Sequence, residues 1–359
     1  MRLTVLLYRL RNAWLPARWE MTGLRQAWLA HRLLFAIVAL YALAALAISV
    51  LVGSPKHYAI GKHVAIWVPA LVAVPLVLGA LAVLRGRAEG SRRSWRGSWR
   101  LLGDPSPGDL VIGFALALAV GLFYASFVVL KNTLPLLVPF YADPTLAAFD
   151  AALHGGVDPW RLIEPLFRLK PLPALTEFAY GFVWATLLVY GPVLVALHPA
   201  FKPWRVRFFL TFFASWIGLG NLGALAFMSG GPVYFGHLTG DHERFGELLR
   251  FTAENGLFTG WVQDYLWENY SSGSVELATG ISAFPSLHVA MATLYFLLAR
   301  HFGRIAAAAA GAFLGLILAG SVILGWHYAV DGYASILFVA LAWFWTGRGD
   351  ARRAVSAAR

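Results

Sequence analysis

Two short stretches carry the residue types that can do chemistry. Phe284-Pro285-Ser286-Leu287-His288 enters one apolar run, and Gly325-Trp326-His327-Tyr328-Ala329-Val330-Asp331 enters another. His327 and Asp331 are four residues apart, so on a helix they share a face and the carboxylate can accept a hydrogen bond from the imidazole. That bond fixes the tautomer and raises the nucleophilicity of the ring, the orienting logic of hydrolase triads. A second histidine facing the first can protonate a leaving oxygen, a step worth roughly 10²–10⁴ in rate. Two imidazoles and one carboxylate therefore suit attack on phosphorus: a phosphohistidine forms, and a hydroxyl or water then removes the phosphoryl group. A carboxylate within an apolar span costs ~2.5–3.5 kcal/mol on insertion scales, so function is the default reading for Asp331. A metal held by the same His/His/Asp set is the rival arrangement, but no fourth ligand and no His-Glu spacing supports it. No metal and no cofactor is expected. His154, His237 and His242 read as solvated or interfacial side chains.

The elements that position these residues follow from composition. Of 359 residues, 59% are hydrophobic and only 13% charged, and the mean hydropathy is +0.65. A soluble chain carries roughly 25% charged residues. Apolar runs of about twenty residues, enough to cross a bilayer core of ~30 Å, predict eight spans near 33–53, 64–84, 109–130, 174–197, 206–228, 285–302, 305–325 and 326–346. Helix is the backbone that satisfies its own peptide groups in hydrocarbon, so the expected fold is an all-α polytopic membrane protein. There is no cysteine, which excludes thiolate nucleophiles, thiolate metal sites and disulfides.

Charge placement sets the orientation. With the N-terminus inside, the inner segments hold 21 of the 29 Lys and Arg residues and the outer segments hold 8. This bias predicts cytoplasmic termini, and it puts His288 and the His327/Asp331 pair at one depth on the extracytoplasmic side. The net charge of +11 then reads as attraction to anionic lipid at the cytoplasmic face, not as a nucleic-acid footprint. Residues 1–32, rich in Arg, Leu and Trp without a cleavage site, read as an amphipathic surface helix rather than a removable signal peptide. Two accessory spans (33–84) are followed by a basic loop (85–108), the six-span core (109–346) and a basic tail (347–359). The outer segments 131–173 and 229–285 are too long for mere connectors, and the first is expected to contain re-entrant or interfacial helices.

The paired motifs resemble those of the type 2 phosphatidic acid phosphatase superfamily. Pro285-Ser286-Leu287-His288 followed by His327-x-x-x-Asp331 is similar to its second and third signature motifs, and Leu287 with His327-Tyr328 is closest to the inositol phosphorylceramide synthase-like branch. The resemblance covers the last six spans. It implies His327 as nucleophile, Asp331 as its orienting partner and His288 as general acid. It also implies a membrane phospholipid or lipid phosphate as substrate and a hydroxyl acceptor, and the expected location is a bacterial-type plasma membrane.

Two features of that family differ here. Its third motif carries Ser-Arg where this chain has Gly320-Ser321, and its first motif is replaced by Gly230-Gly231-Pro232-Val233-Tyr234, which resembles a Pro-Pro-Trp-Tyr stretch of ceramide-using synthases. The cationic cradle for phosphoryl oxygens must therefore come from elsewhere. Lys131, at the outer end of the third span, is the favoured cation, with Ser286 and nearby backbone N–H groups as donors. Tyr234 and Ser321 are further candidates for substrate contact, a structural role for Tyr234 carrying more weight. Glu177 reads as a helix-dipole partner more than a site acid. Water as acceptor would make the enzyme a lipid phosphate phosphatase of the phosphatidate or polyprenyl phosphate type. A non-catalytic transporter or scramblase would instead need ionisable residues along its spans, and these spans carry almost none.

Overall fold

The computed structural model describes residues 21–52, 60–88, 106–272 and 280–357. In chain order the helices are α1 (Met21–Leu51), α2 (Ile60–Ala88), α3 (Pro107–Leu137), α4 (Asp143–Leu153), α5 (Pro159–Phe167), α6 (Leu172–Leu197), α7 (Arg205–Ala226), α8 (Phe235–Thr239), α9 (Gly246–Glu254), α10 (Thr259–Ser271), α11 (Leu287–Ala299), α12 (Arg304–Ile323) and α13 (Ala329–Ala357). No strand occurs among the described residues. Among the described residues, six helices (α1, α3, α6, α7, α12 and α13) contain stretches long and apolar enough to cross a membrane, and shorter apolar stretches lie in α2 (Ile66–Leu81) and from α11 into the following turn (Leu287–Phe302). The molecule is an all-α polytopic membrane protein, and each of the eight expected spans falls on a helix.

The first helix departs from expectation. It begins at Met21, well before position 33, because Leu24, Ala27 and Trp28 carry the apolar pattern across Arg25. Trp28 stacks on Phe35 at 5.1 Å, and Gly108 of α3 lies close against the backbone of Leu24. Residues 21–32 are thus continuous with the first span. Residues 1–20 of the expected surface helix, and most of the basic loop 85–108, lie outside the described residues.

Local sequence fixes where α3 starts. Ser106 accepts from the Asp109 N–H at 3.1 Å while the Asp109 carboxylate accepts back from Ser106 N, a reciprocal cap with Pro107 in the first turn. Asp109 also accepts from Lys202 Nζ at 2.7 Å, which ties this end of α3 to the α6–α7 connection. Lipid tails are as apolar as leucine, so close packing rather than exclusion from water holds such helices together. Here aromatic rings supply it. Phe123 meets Phe213 at 4.7 Å, and Phe127 meets Trp216 at 4.6 Å edge-on. Tyr41 of α1 stacks on Phe123 at 4.5 Å and donates to Asn221 Oδ1 of α7 at 2.5 Å.

Two long helices are interrupted by π-helical turns, Ala179–Val183 in α6 and Gly218–Gly223 in α7. Such turns rotate the following side chains and recur at functional sites. The short helices α4, α5 and α8–α10 meet over the end of the bundle where α11 and α13 begin. Arg244 binds them together, donating to Asp158 and to the Ala147 carbonyl, each at 2.8 Å, and Arg161 pairs with Glu247. The described parts of segments 131–173 and 229–285 therefore form a helical cap rather than connectors.

Candidate active site

His327 lies in the tight turn between α12 and α13, and Asp331 in the first turn of α13. Gly325 takes φ +77°, a left-handed conformation that glycine adopts without steric cost, and this reverses the chain. The turn is then held by His327 N–H donating to the Ser321 carbonyl at 2.9 Å. The ring closes back on the helix: His327 Nδ1 lies 3.2 Å from Asp331 Oδ2, and the same oxygen accepts from Tyr328 N–H at 3.2 Å. With Nδ1 as donor, Nε2 carries the lone pair. Asp331 is fully buried.

His288 is the second residue of α11. Its ring is sandwiched between Tyr180 at 4.1 Å and Trp184 at 3.8 Å, and Trp184 Nε1 donates to the His288 carbonyl at 3.2 Å. Tyr180 belongs to the π turn of α6, and Trp184 follows it directly. Ser286 N–H donates to the Asp331 carbonyl at 3.3 Å, so the starts of α11 and α13 are joined. The two imidazoles stand 6.2 Å apart between centroids. That is too far for a bond between rings, and it leaves room for one tetrahedral group to touch both.

Both histidines line a cavity of about 800 Å³ whose other walls are mostly apolar and aromatic. A sequence profile of the PAP2 superfamily matches residues 144–345, more than half of the chain. The chain belongs to the PAP2 superfamily. Comparison with curated proteins and with solved structures returns no match. PAP2 membership and the membrane-spanning helices fit a lipid phosphatase or phosphotransferase. The matched region holds His288, His327 and Asp331, whereas α1–α3 precede it.

The remaining expected residues divide between wall and scaffold. Lys131 and Tyr234 line the cavity. The Lys131 amine has no hydrogen bond or ion pair among the described residues. Tyr234 donates to the Gln263 carbonyl at 2.9 Å, and Gln263 Nε2 donates to the Leu324 carbonyl at the end of α12, 2.8 Å away. The Tyr234 hydroxyl is therefore occupied by the cap. Ser286 and Ser321 are not among the residues that line the cavity. The Ser286 hydroxyl caps α11 by accepting from Val289 N–H at 3.4 Å, and the Ser321 hydroxyl donates to the Leu318 carbonyl at 2.7 Å. Both serines hold the backbone that carries the histidines. Glu177 lines the cavity too and accepts from Thr259 N–H at 2.6 Å, so it caps α10 as a dipole partner of that helix.

Four residues that matter here escape a motif-based reading. Tyr180 and Trp184 clamp His288. Asp143 accepts from Gly230 N–H, Gly231 N–H and the Tyr328 hydroxyl, each at 2.8 Å. Asp150 accepts from Ala329 N–H at 2.9 Å and Val330 N–H at 3.0 Å, capping α13 one residue ahead of Asp331. Burial pushes both carboxyls up from the ordinary carboxylate value, while the donors at each pull the other way. The available signal was spacing: Asp143 and Asp150 are seven apart on one helix, hence on one face. Gly231 explains the Gly-Gly-Pro-Val-Tyr turn. It takes φ +88°, and a Cβ there would lie 2.5 Å from the Trp326 carbonyl oxygen, so this turn packs directly on the loop that carries His327.

Proposed function

We propose that this PAP2 protein is an integral-membrane lipid phosphotransferase, inositol phosphorylceramide synthase-like, that moves a phosphoryl-containing headgroup from a phospholipid to a hydroxyl acceptor. The observation that carries this reading is the oriented His327–Asp331 pair facing the clamped His288 across a largely apolar cavity. His327 Nε2 attacks phosphorus, and the bond from phosphorus to the lipid oxygen breaks. Protonated His288 gives its proton to that oxygen, releasing the lipid alcohol. Neutral His288 then takes the proton of the acceptor hydroxyl as its oxygen attacks phosphorus and the P–Nε2 bond breaks, which restores both imidazoles. The Asp331 carboxylate offsets the positive charge that the phosphorylated ring carries. Negative charge spread over the phosphoryl oxygens needs a facing cation, and Lys131, which lines the cavity, is proposed for that role.

The proposed site faces the extracytoplasmic side of a plasma membrane. Supporting this, the cap segments over the site are balanced or acidic, while Lys202, Arg207, Arg304 and Arg348 gather toward the other ends of the same helices. The test is the purified protein with a phospholipid labelled in its headgroup phosphate, with and without a lipid alcohol such as ceramide. Transfer predicts label on the alcohol in proportion to its supply. Release of water-soluble label at one rate whether or not alcohol is present would make the protein a phosphatase instead. In the same assay Lys131→Ala is expected to raise the donor KM about tenfold or more, and an unchanged KM would remove Lys131 from the phosphate site.

A further inference from the structure

The cavity does not end at the imidazoles. From Lys131 it follows the inner face of α3 past Phe127 to Tyr124, seven residues or roughly 10 Å at the helical rise of 1.5 Å per residue. There the floor is built by aromatic contacts. Tyr124 meets Trp216 of α7 edge-on at 4.8 Å and donates to the Leu188 carbonyl of α6 at 3.2 Å. The last wall comes from α2, whose Trp67 stacks on Tyr124 at 5.3 Å and is itself buried. Gly121 of α3 makes room for the indole: a Cβ there would sit 3.3 Å from it. At the opposite end the cavity reaches Phe178 and Phe182 of α6 and Phe258 beside α10, rings that are mostly exposed on the outer surface. The space thus has a polar head at the histidines, exposed rings at one end and an aromatic end at Tyr124, Trp216 and Trp67.

We propose that this aromatic end is a pocket for one alkyl chain of the lipid substrate, and that the buried Trp67 on α2 sets the longest chain it admits. The proposal rests on the reading of His288 and His327 as a phospholipid site and specifies the tail of that substrate. It assigns a task to an accessory helix that precedes the superfamily match. A tail leaving the bilayer gains little from an equally apolar wall, so the pocket selects by exclusion. A chain that outruns the distance from Lys131 to Tyr124 meets the indole and must fold back toward the exposed rings. Misfit by one methylene in an apolar pocket discriminates by about 10–200-fold. The second chain of a two-chain lipid stays by the exposed rings, in the membrane.

The test uses the full chain in detergent micelles and phospholipid donors that share one headgroup and carry dihexanoyl, dioctanoyl or dipalmitoyl tails. Trp67→Ala is expected to raise the dipalmitoyl-to-dioctanoyl ratio of kcat/KM about tenfold, and Trp67→Phe to raise it less. Each ratio is internal to one preparation, so a lower yield of folded protein cancels. Ratios equal to wild type in both variants would overturn the proposal. A second arm needs no turnover: a dioctanoyl phospholipid with a diazirine at the chain terminus is photolysed on the wild-type protein. Adducts are expected on α2 around Trp67 and on α3 around Tyr124, and adducts confined to outer helix faces would overturn the pocket. Labelling at α2 without any headgroup transfer would remove the phosphotransferase reading and leave the pocket. Transfer with unchanged ratios and no label at α2 would do the reverse.

Discussion

His327→Ala is expected to lower headgroup transfer by about 10⁴-fold or more, whereas Asp331→Asn is expected to cost less, on the order of 10²–10³. The difference follows from which atoms surround the carboxylate. Asp331 Oδ2 accepts two donors, His327 Nδ1–H and Tyr328 N–H, while Oδ1 has no partner among the described residues. An asparagine is therefore held with its oxygen toward the two donors, and the imidazole keeps its tautomer. What is lost is the negative charge beside a ring that turns cationic on phosphorylation. Turnover measured with thermal unfolding in the same detergent checks this. Equal losses for the two variants would mean that Asp331 acts by holding the ring rather than by charge, and an Asp331→Asn protein at the wild-type rate would take the carboxylate out of the chemistry.

The second large effect is expected from a residue that touches no substrate. Asp143→Ala removes the acceptor for two buried backbone N–H groups and one buried hydroxyl. Leaving a buried donor unpaired costs about 1–3 kcal/mol, so the variant is expected to lose on the order of 3 kcal/mol of stability and to unfold at a clearly lower temperature. Activity is expected to fall further than the folded fraction does. Asp143 joins the Gly230-Gly231 turn to Tyr328, the neighbour of the nucleophile, and both would shift. Asp143→Asn keeps one accepting oxygen and should lie between. An Asp143→Ala protein with wild-type unfolding temperature would show that the cap does not depend on this carboxyl.

Much of this was readable from the chain. The apolar runs fell on helices because the bilayer sets both length and composition, six of them long enough to cross it and the two in α2 and α11 shorter. The His327/Asp331 spacing pointed to the pair, but not through a shared helix face: His327 precedes α13, and the Gly325 turn brings its ring back to the carboxylate. The start of α1 was misplaced, since Arg25 breaks a hydropathy window while the helix continues through it to pack on α3. The capping bonds of Ser286 and Ser321 were not legible for a different reason. A hydroxyl next to a histidine in sequence is as ready to cap a helix as to bind substrate, and only the backbone path decides. The clamp by Tyr180 and Trp184 was hidden because a π turn, which hydropathy does not register, aims both rings. The carboxyls at 143 and 150 were hidden because their partners are backbone N–H groups nearly ninety to one hundred and eighty residues away. Trp67 was unreadable as a cavity wall, because an indole in an apolar span looks the same whether it faces lipid, core or substrate.

In the proposed reaction phosphorus becomes bonded to one imidazole. The most direct measurement is rapid acid-free quenching of the full-length protein during turnover of a phosphate-labelled phospholipid, followed by peptide mapping of the protein-bound label. The expected result is acid-labile, base-stable label on His327, retained in Lys131→Ala and absent in His327→Ala. Sustained transfer with no label on His327, or label on another residue, would contradict it.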